Sequence, residues 1–139
     1  MLNNCYILIS KKKISISMLD FLSNKNIGAV VSFVGVVRQI NNGKQVNGIL
    51  YSIFEDLMYS LLKDKCLTLL NGDNNTRICI FQYNGNLNVG GVNLLIGVGS
   101  KHRKIAFSYC NQLVDFIKYG VPVWKKEIYS DGTYNWINS

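Results

Sequence analysis

Residues 97–127 read GVGSKHRKIAFSYCNQLVDFIKYGVPVWKKE, and the rest of the chain is organised around them. The stretch holds the single histidine, the single proline and one of the two tryptophans. Ile105, Ala106, Phe107, Cys110, Leu113, Val114 and Ile117 recur at helical spacing, with Lys104, Ser108, Asn111, Gln112 and Asp115 largely on another face. Ser100 is the expected N-cap, and Gly120 and Pro122 close the helix from the other side.

Charge placement makes the stretch informative. His102 and Arg103 fall in the first turn, where free backbone N–H groups and the helix dipole are already positive. Two readings stand side by side: a phosphate or carboxylate site, or two solvated polar residues ahead of an amphipathic helix. Lys118 stands where a helix favours a cation, and taken alone it serves the helix. Lys125 and Lys126 follow Trp124 in an expected strand, so one of them points inward and the other outward. A regular helix separates His102 from Lys118 by about 24 Å, at 1.5 Å per residue. The two residues therefore serve different sites, or a second copy of the chain brings its His102 end to the first copy's Lys118.

The 139 residues suit one domain, residues 1–139, with a real hydrophobic core. A net charge of +7 suggests an anionic partner: nucleic acid, an acidic protein or a phosphorylated small molecule. No apolar run approaches the ~18 residues that span a bilayer, and the N-terminus lacks the order of a secretory signal. Cys5, Cys66, Cys79 and Cys110 are scattered, and with one histidine there is no case for a metal site. Reduced, buried thiols in a cytoplasmic protein are expected.

Before the central stretch, residues 4–10 read as a strand and 15–25 as a short helix closed by Asn26 and Gly28. GAVVSFVGVVRQ, residues 28–39, is apolar at nearly every position. It is expected as a strand buried on both faces, or as a long bent one, with Gly35 marking a bulge or a close approach and Arg38 at its tip. Residues 40–45 form a turn, 46–54 a returning strand and 55–70 an amphipathic helix with acidic residues first. Strands are expected at 77–83 and 92–100, a loop at 84–91, and a terminal hairpin around Asp131–Gly132. The sum is a two-layer α+β domain with a mixed, largely antiparallel sheet and about three helices.

Four segments together carry a resemblance: GAVVSFVGVVR, then GNLNVGG, then IGVGSKHRKIAF, then FIKYGVPVWKKE. In this order, from about residue 4 to Trp136, the chain resembles the large, catalytic subunit of molybdopterin synthase. The most specific elements are Ser100, His102 and Arg103, and Lys118, Pro122, Trp124 and Lys125.

The resemblance implies an enzyme, a sulfurtransferase of molybdenum cofactor biosynthesis. It would convert cyclic pyranopterin monophosphate into molybdopterin by adding two sulfurs as a dithiolene, with no resident cofactor. The sulfur would come as a thiocarboxylate on the Gly-Gly tail of a small ubiquitin-like subunit. Two large subunits would form a homodimer at the centre of a heterotetramer, with residues of both in each pocket. Family residues carry over onto Lys118 and Lys125 as catalytic, and onto Arg38, His102 and Arg103 as substrate-binding. The chemistry suits them, since tail and pterin phosphate are both anionic and a crowded, desolvated lysine exchanges protons readily.

Three departures accompany the resemblance. Gln82, Tyr83, Asn84 and Gly85 stand where the family has a His-Arg-x-Gly pattern. Ser52 replaces a frequent glutamate, and relatives usually continue past the position of Ser139 with a basic tail. They read as drift, because the lysines and the His-Arg pair stand. Two other classes compete: a relative that docks the ubiquitin-like partner without turnover, and a basic nucleic-acid-binding module. The second lacks an RNP-like motif, a helix-turn-helix signal and a dense basic stripe, so neither nucleic acid nor membrane is expected as partner.

Overall fold

The computed structural model describes residues 3–138. The first sheet has the order β1–β5–β7–β2, from Cys5–Ser10, Arg77–Tyr83, Val92–Ser100 and Ala29–Val36. Only β1 and β5 run parallel; β5–β7 and β7–β2 are antiparallel. The second sheet has the order β3–β4–β8–β9, from Ile40–Asn41, Lys44–Ile53, Val123–Tyr129 and Tyr134–Asn138. Strand β6, Gly85–Asn88, pairs with the free side of β4. This is the expected α+β fold with three helical segments.

Helix α1 (Glu55–Leu70) occupies the expected span, and Glu55 and Asp56 in its first turn answer the dipole. It ends where Asn71 turns left-handed, its N–H bonding the carbonyl of Leu67. Helix α2 (Arg103–Gly120) buries Ala106, Cys110, Leu113 and Ile117, one stripe at spacings of four and three. Both helices lie on one face of the first sheet, α1 against β1 and α2 against β7 and β2. Their stripes meet Ile78, Ile80, Leu94, Ile96 and Val98 in the main core. Burial of each such aliphatic side chain contributes about 1.5–3 kcal/mol.

The structure corrects the sequence reading in four places. Residues 15–25 yield a 3₁₀ segment, Ile16–Leu22, not an α-helix. It covers the opposite face of β5 and β7, where Leu22, Cys79, Phe81 and Leu95 form a second core. The strands covered on both faces are therefore β5 and β7. Strand β2 is an edge strand whose Val30, Val34 and Val36 remain exposed, because the 3₁₀ segment does not reach it. The bulge expected at Gly35 is present, with the β2–β7 register shifting between Gly35 and Val36. Residues 85–88 are a strand rather than loop, since Leu87 is buried under the second sheet while its polar neighbours face out. Finally, α2 is capped by His102 rather than Ser100, whose hydroxyl instead donates to the His102 carbonyl.

All four cysteines are free and buried. Burial pushes the Cys79 thiol up to about 12, so it stays protonated at neutral pH. No helix among the described residues is long and apolar enough to cross a membrane.

Candidate active site

Three chain segments converge where the two sheets meet. Past its bulge, β2 leads to Val37, which is buried and clamped by Gly91 and Gly90 through bonds of 3.0 and 2.9 Å. The next residue, Arg38, emerges exposed. At the C-terminal end of α2, buried Ile117 fixes the helix against the core, and Lys118 projects beside it. Pro122 ends the helix, and β8 then alternates. Lys125 and Glu127 face the cavity, while Trp124 and Lys126 face away. The Lys126 ammonium lies 4.1 Å over the ring of Tyr134 on β9, so the inward lysine of the pair is Lys125.

Arg38, Lys118 and Lys125 together line a cavity of about 400 Å³. Phe33, Leu94, Ile117 and Val123 give it an apolar floor, and Tyr51, Asn93, Gln82 and Glu127 a polar wall. Glu127 is the only carboxylate lining it among the described residues, and it is 4% exposed. Burial first, then the Lys118 charge, hold Lys125 below the ordinary lysine range. Burial raises the Tyr51 hydroxyl to about 12, opposed by a hydrogen bond to Asn93 and reinforced by Glu127. The site thus offers three cations, one eased toward its neutral form, around a partly apolar floor. That set suits an anionic ligand with a flat apolar body and a proton to exchange.

Gly35 shapes the polar wall, because a Cβ at this position would collide with the Asn93 side-chain oxygen. Gln82 is buried, and its amide donates to the carbonyls of Tyr83 and Asn93 at 2.9 and 3.1 Å. Asn84 accepts from the Ile53 N–H at 3.2 Å and donates to Glu55 at 2.7 Å. Neutral amides therefore tie the backbone together where the resemblance leads one to expect a cation. Ser52 is exposed on β4, opposite Trp124.

His102 and Arg103 lie elsewhere. They are exposed at the N-terminal end of α2, beyond Ser100, which pairs with Ala29 at the start of β2. Most of the length of α2 separates them from Lys118, which stands two residues before its end. One chain therefore assembles three of the five expected site residues. Tyr51, Asn93 and Glu127 escaped the sequence reading. Only Glu127 left a signal there, two residues after Lys125 and hence on the same face of β8.

The sequence model of the family described as MoaE protein matches residues 9–119. The chain belongs to the MoaE family. The match spans Arg38, His102, Arg103 and Lys118 and stops short of Lys125. The molybdopterin synthase catalytic subunit of Dictyostelium discoideum is 37% identical over 116 residues, covering 82% of this chain and 73% of its own. Molybdopterin synthase from Staphylococcus aureus superposes with a TM-score of 0.86 at 28% identity over 100% of both chains, Lys125 included. A complex of subunits 1 and 2 of the molybdopterin-converting factor from Helicobacter pylori shares the fold. Its TM-score is 0.75 at 20% identity, over 98% of this chain and 90% of that one. Within the MoaE family the chain is thus a relative of molybdopterin synthase catalytic subunits over nearly its whole length.

Proposed function

We propose that this protein is the catalytic subunit of molybdopterin synthase, a sulfurtransferase acting on cyclic pyranopterin monophosphate. The sulfur donor is the C-terminal thiocarboxylate of a small ubiquitin-like subunit. In each transfer a C–S bond forms at a side-chain carbon of the pterin as its C–O bond breaks, the oxygen leaving as water or with the phosphate, and water cleaves the acyl–sulfur bond to leave the donor tail as a carboxylate. The observation that carries the reading is the meeting of Arg38, Lys118 and Lys125 in one cavity, with Lys125 below its ordinary range. Membership of the family and the named relatives support it.

In this mechanism Arg38 holds phosphate through its planar fork of donors. Lys118 neutralises the thiocarboxylate and the oxyanion that forms when its acyl carbon is attacked. Lys125, partly desolvated, exchanges protons with the pterin side chain. His102 and Arg103 of a second copy complete the phosphate grip. That the Helicobacter pylori structure of the same fold is a complex of two different subunits supports a partner subunit here; in the assembly proposed, one small subunit sits at each end of a central dimer of large ones.

A single-turnover assay tests the reading. The purified chain is mixed with thiocarboxylated small subunit and cyclic pyranopterin monophosphate, and the dithiolene product is followed after oxidation to its fluorescent derivative. Product is expected within the first turnover. No product, with the small subunit still bound, would identify a docking relative that has lost its chemistry.

A further inference from the structure

Arg38 stands on a weakly supported part of the fold. Strand β3 has two residues, and the only strand it pairs with is β4, through Ile40–Gln45 and Asn41–Lys44. The connecting Asn42 and Gly43 both have positive φ, 50° and 77°, which makes a tight two-residue hairpin. Beyond the short β3–β4 ladder, backbone support is a bond from the Val46 N–H to the Gln39 carbonyl, 2.7 Å, and one from the Ser130 N–H to the Gln45 carbonyl, 3.0 Å, which holds the β4 arm and not the arm that carries Arg38. Residues 38–40 are all exposed. A hairpin with so little burial opens locally at small cost unless something ties it down.

On the β3 arm a long-range side-chain contact does so. The Asn41 side-chain amide donates to both oxygens of Glu127, at 2.9 and 3.2 Å, across 86 residues of sequence. In the β4 register Asn41 lies opposite Lys44 and Glu127 opposite Ile49. The two meet because β4 carries a bulge between Val46 and Gly48, which bends the hairpin back over β8. Glu127 is itself fixed, because it is buried on β8. The Asn41 amide thus ties the β3 arm of the hairpin to a buried side chain of β8.

We propose that Asn41 is a positioning residue of the site, acting through Glu127 to hold Arg38 at the cavity mouth. Its amide has a second effect. Glu127 is the carboxyl side chain that lines the cavity among the described residues, and the Asn41 amide donates to both of its oxygens and holds them toward the protein. Losing the Asn41 amide frees the Arg38 hairpin and turns an unsatisfied carboxylate toward the ligand. Both effects weaken binding. Neither touches the reacting atoms, so the rate from the bound state is spared. The identity of the ligand rests on the function proposed above; the clip itself does not.

The test compares Asn41→Ala with the paired swap Asn41→Asp/Glu127→Gln, which reverses the hydrogen bond and conserves volume and total charge. Amide hydrogen exchange at Val46 is expected to speed about tenfold or more in Asn41→Ala, with β5 and β7 amides unchanged. The Kd for cyclic pyranopterin monophosphate should rise about tenfold while the single-turnover rate at saturation stays within about threefold. The paired swap should recover most of both losses and carries the same readouts if Asn41→Ala fails to fold. Wild-type protection at Val46, an unchanged Kd, or a swap no better than Asn41→Ala would each overturn the proposal. A wild-type protein that binds the pterin without turnover removes the sulfur-transfer reading but leaves exchange and Kd to decide the clip. If it binds no pterin, the exchange at Val46 decides alone.

Discussion

Lys118 on α2 and Lys125 on β8 reach the same cavity from different elements, and the charge of the first bears on the second. Burial is the larger cause of the depressed Lys125 pKa, and Lys118 the smaller. Removing Lys118 should therefore relieve only part of the shift. With lysines labelled by ¹³C reductive methylation, the Lys125 resonance should titrate below the ordinary lysine range in the wild type. In Lys118→Met its midpoint should move up and still fall short of a free lysine. An unmoved midpoint would show that the two ammonium groups do not feel each other.

The same shift fixes a dependence of stability on pH. A lysine whose folded pKa lies below its unfolded value, near 10.4, destabilises the fold while both states are protonated. The penalty is fully present at neutral pH. It fades as pH rises through the folded pKa, because there the unfolded chain binds more protons. Lys125→Met should accordingly raise Tm at pH 7, and its advantage over wild type should shrink as pH climbs toward 10. A variant less stable than wild type at pH 7 would mean that Lys125 gains more from neighbours than it loses to burial. The expected trade is stability for function, since the same variant should lose turnover.

Lys118 is exposed and caps no buried network, so its removal should leave the fold intact. In the proposed mechanism, as an oxyanion and tail partner, it would act at the step where negative charge builds. Lys118→Ala should cut the single-turnover rate by about 10²–10³, the usual loss for one such donor. Circular dichroism and the oligomeric state should stay as in the wild type. A normal rate would remove the residue from the mechanism.

The lysines and the helix that carries one of them were legible because they announce themselves locally. The spacing of Ala106, Cys110, Leu113 and Ile117 and the break at Pro122 define α2 to within three residues. Alternation after Pro122 requires one of Lys125 and Lys126 to point inward, though not which. What stayed hidden depends on long-range geometry. β2 looks as apolar as a doubly covered strand, yet the covering 3₁₀ segment stops at β7. Residues 85–88 look like loop because three of four are Gly or Asn; only the pairing with β4 makes them a strand. The polar wall draws Tyr51 from β4, Asn93 from β7 and Glu127 from β8. No spacing within any one segment brings those three together.

A single chain keeps two of the expected site residues, His102 and Arg103, apart from the other three. His102 and Arg103 sit at the start of α2 and Lys118 near its end, so a small ligand held by Lys118 cannot reach them in the same copy. In the proposed dimer, strand β2 offers a route by which a second copy would supply them. Its first residue, Ala29, pairs with Ser100 beside His102, and its last, Val36, leads through Val37 to Arg38 at the cavity. Two copies related by a twofold axis across β2 and α2 would set each chain's His102 end against the other's Arg38 and Lys118. The exposed Val30, Val34 and Val36 on that edge strand offer apolar surface for the contact. A Lys118→Ala chain and a His102→Ala/Arg103→Ala chain should each be nearly inactive alone. Mixed and allowed to exchange, half of the dimers are mixed, and each mixed dimer holds one pocket with every residue intact and one with both defects. Activity should then return to about a quarter of wild type, the fraction of intact pockets at full random exchange. If no activity returns although native mass spectrometry shows mixed dimers, His102 and Arg103 act in their own chain or not at all.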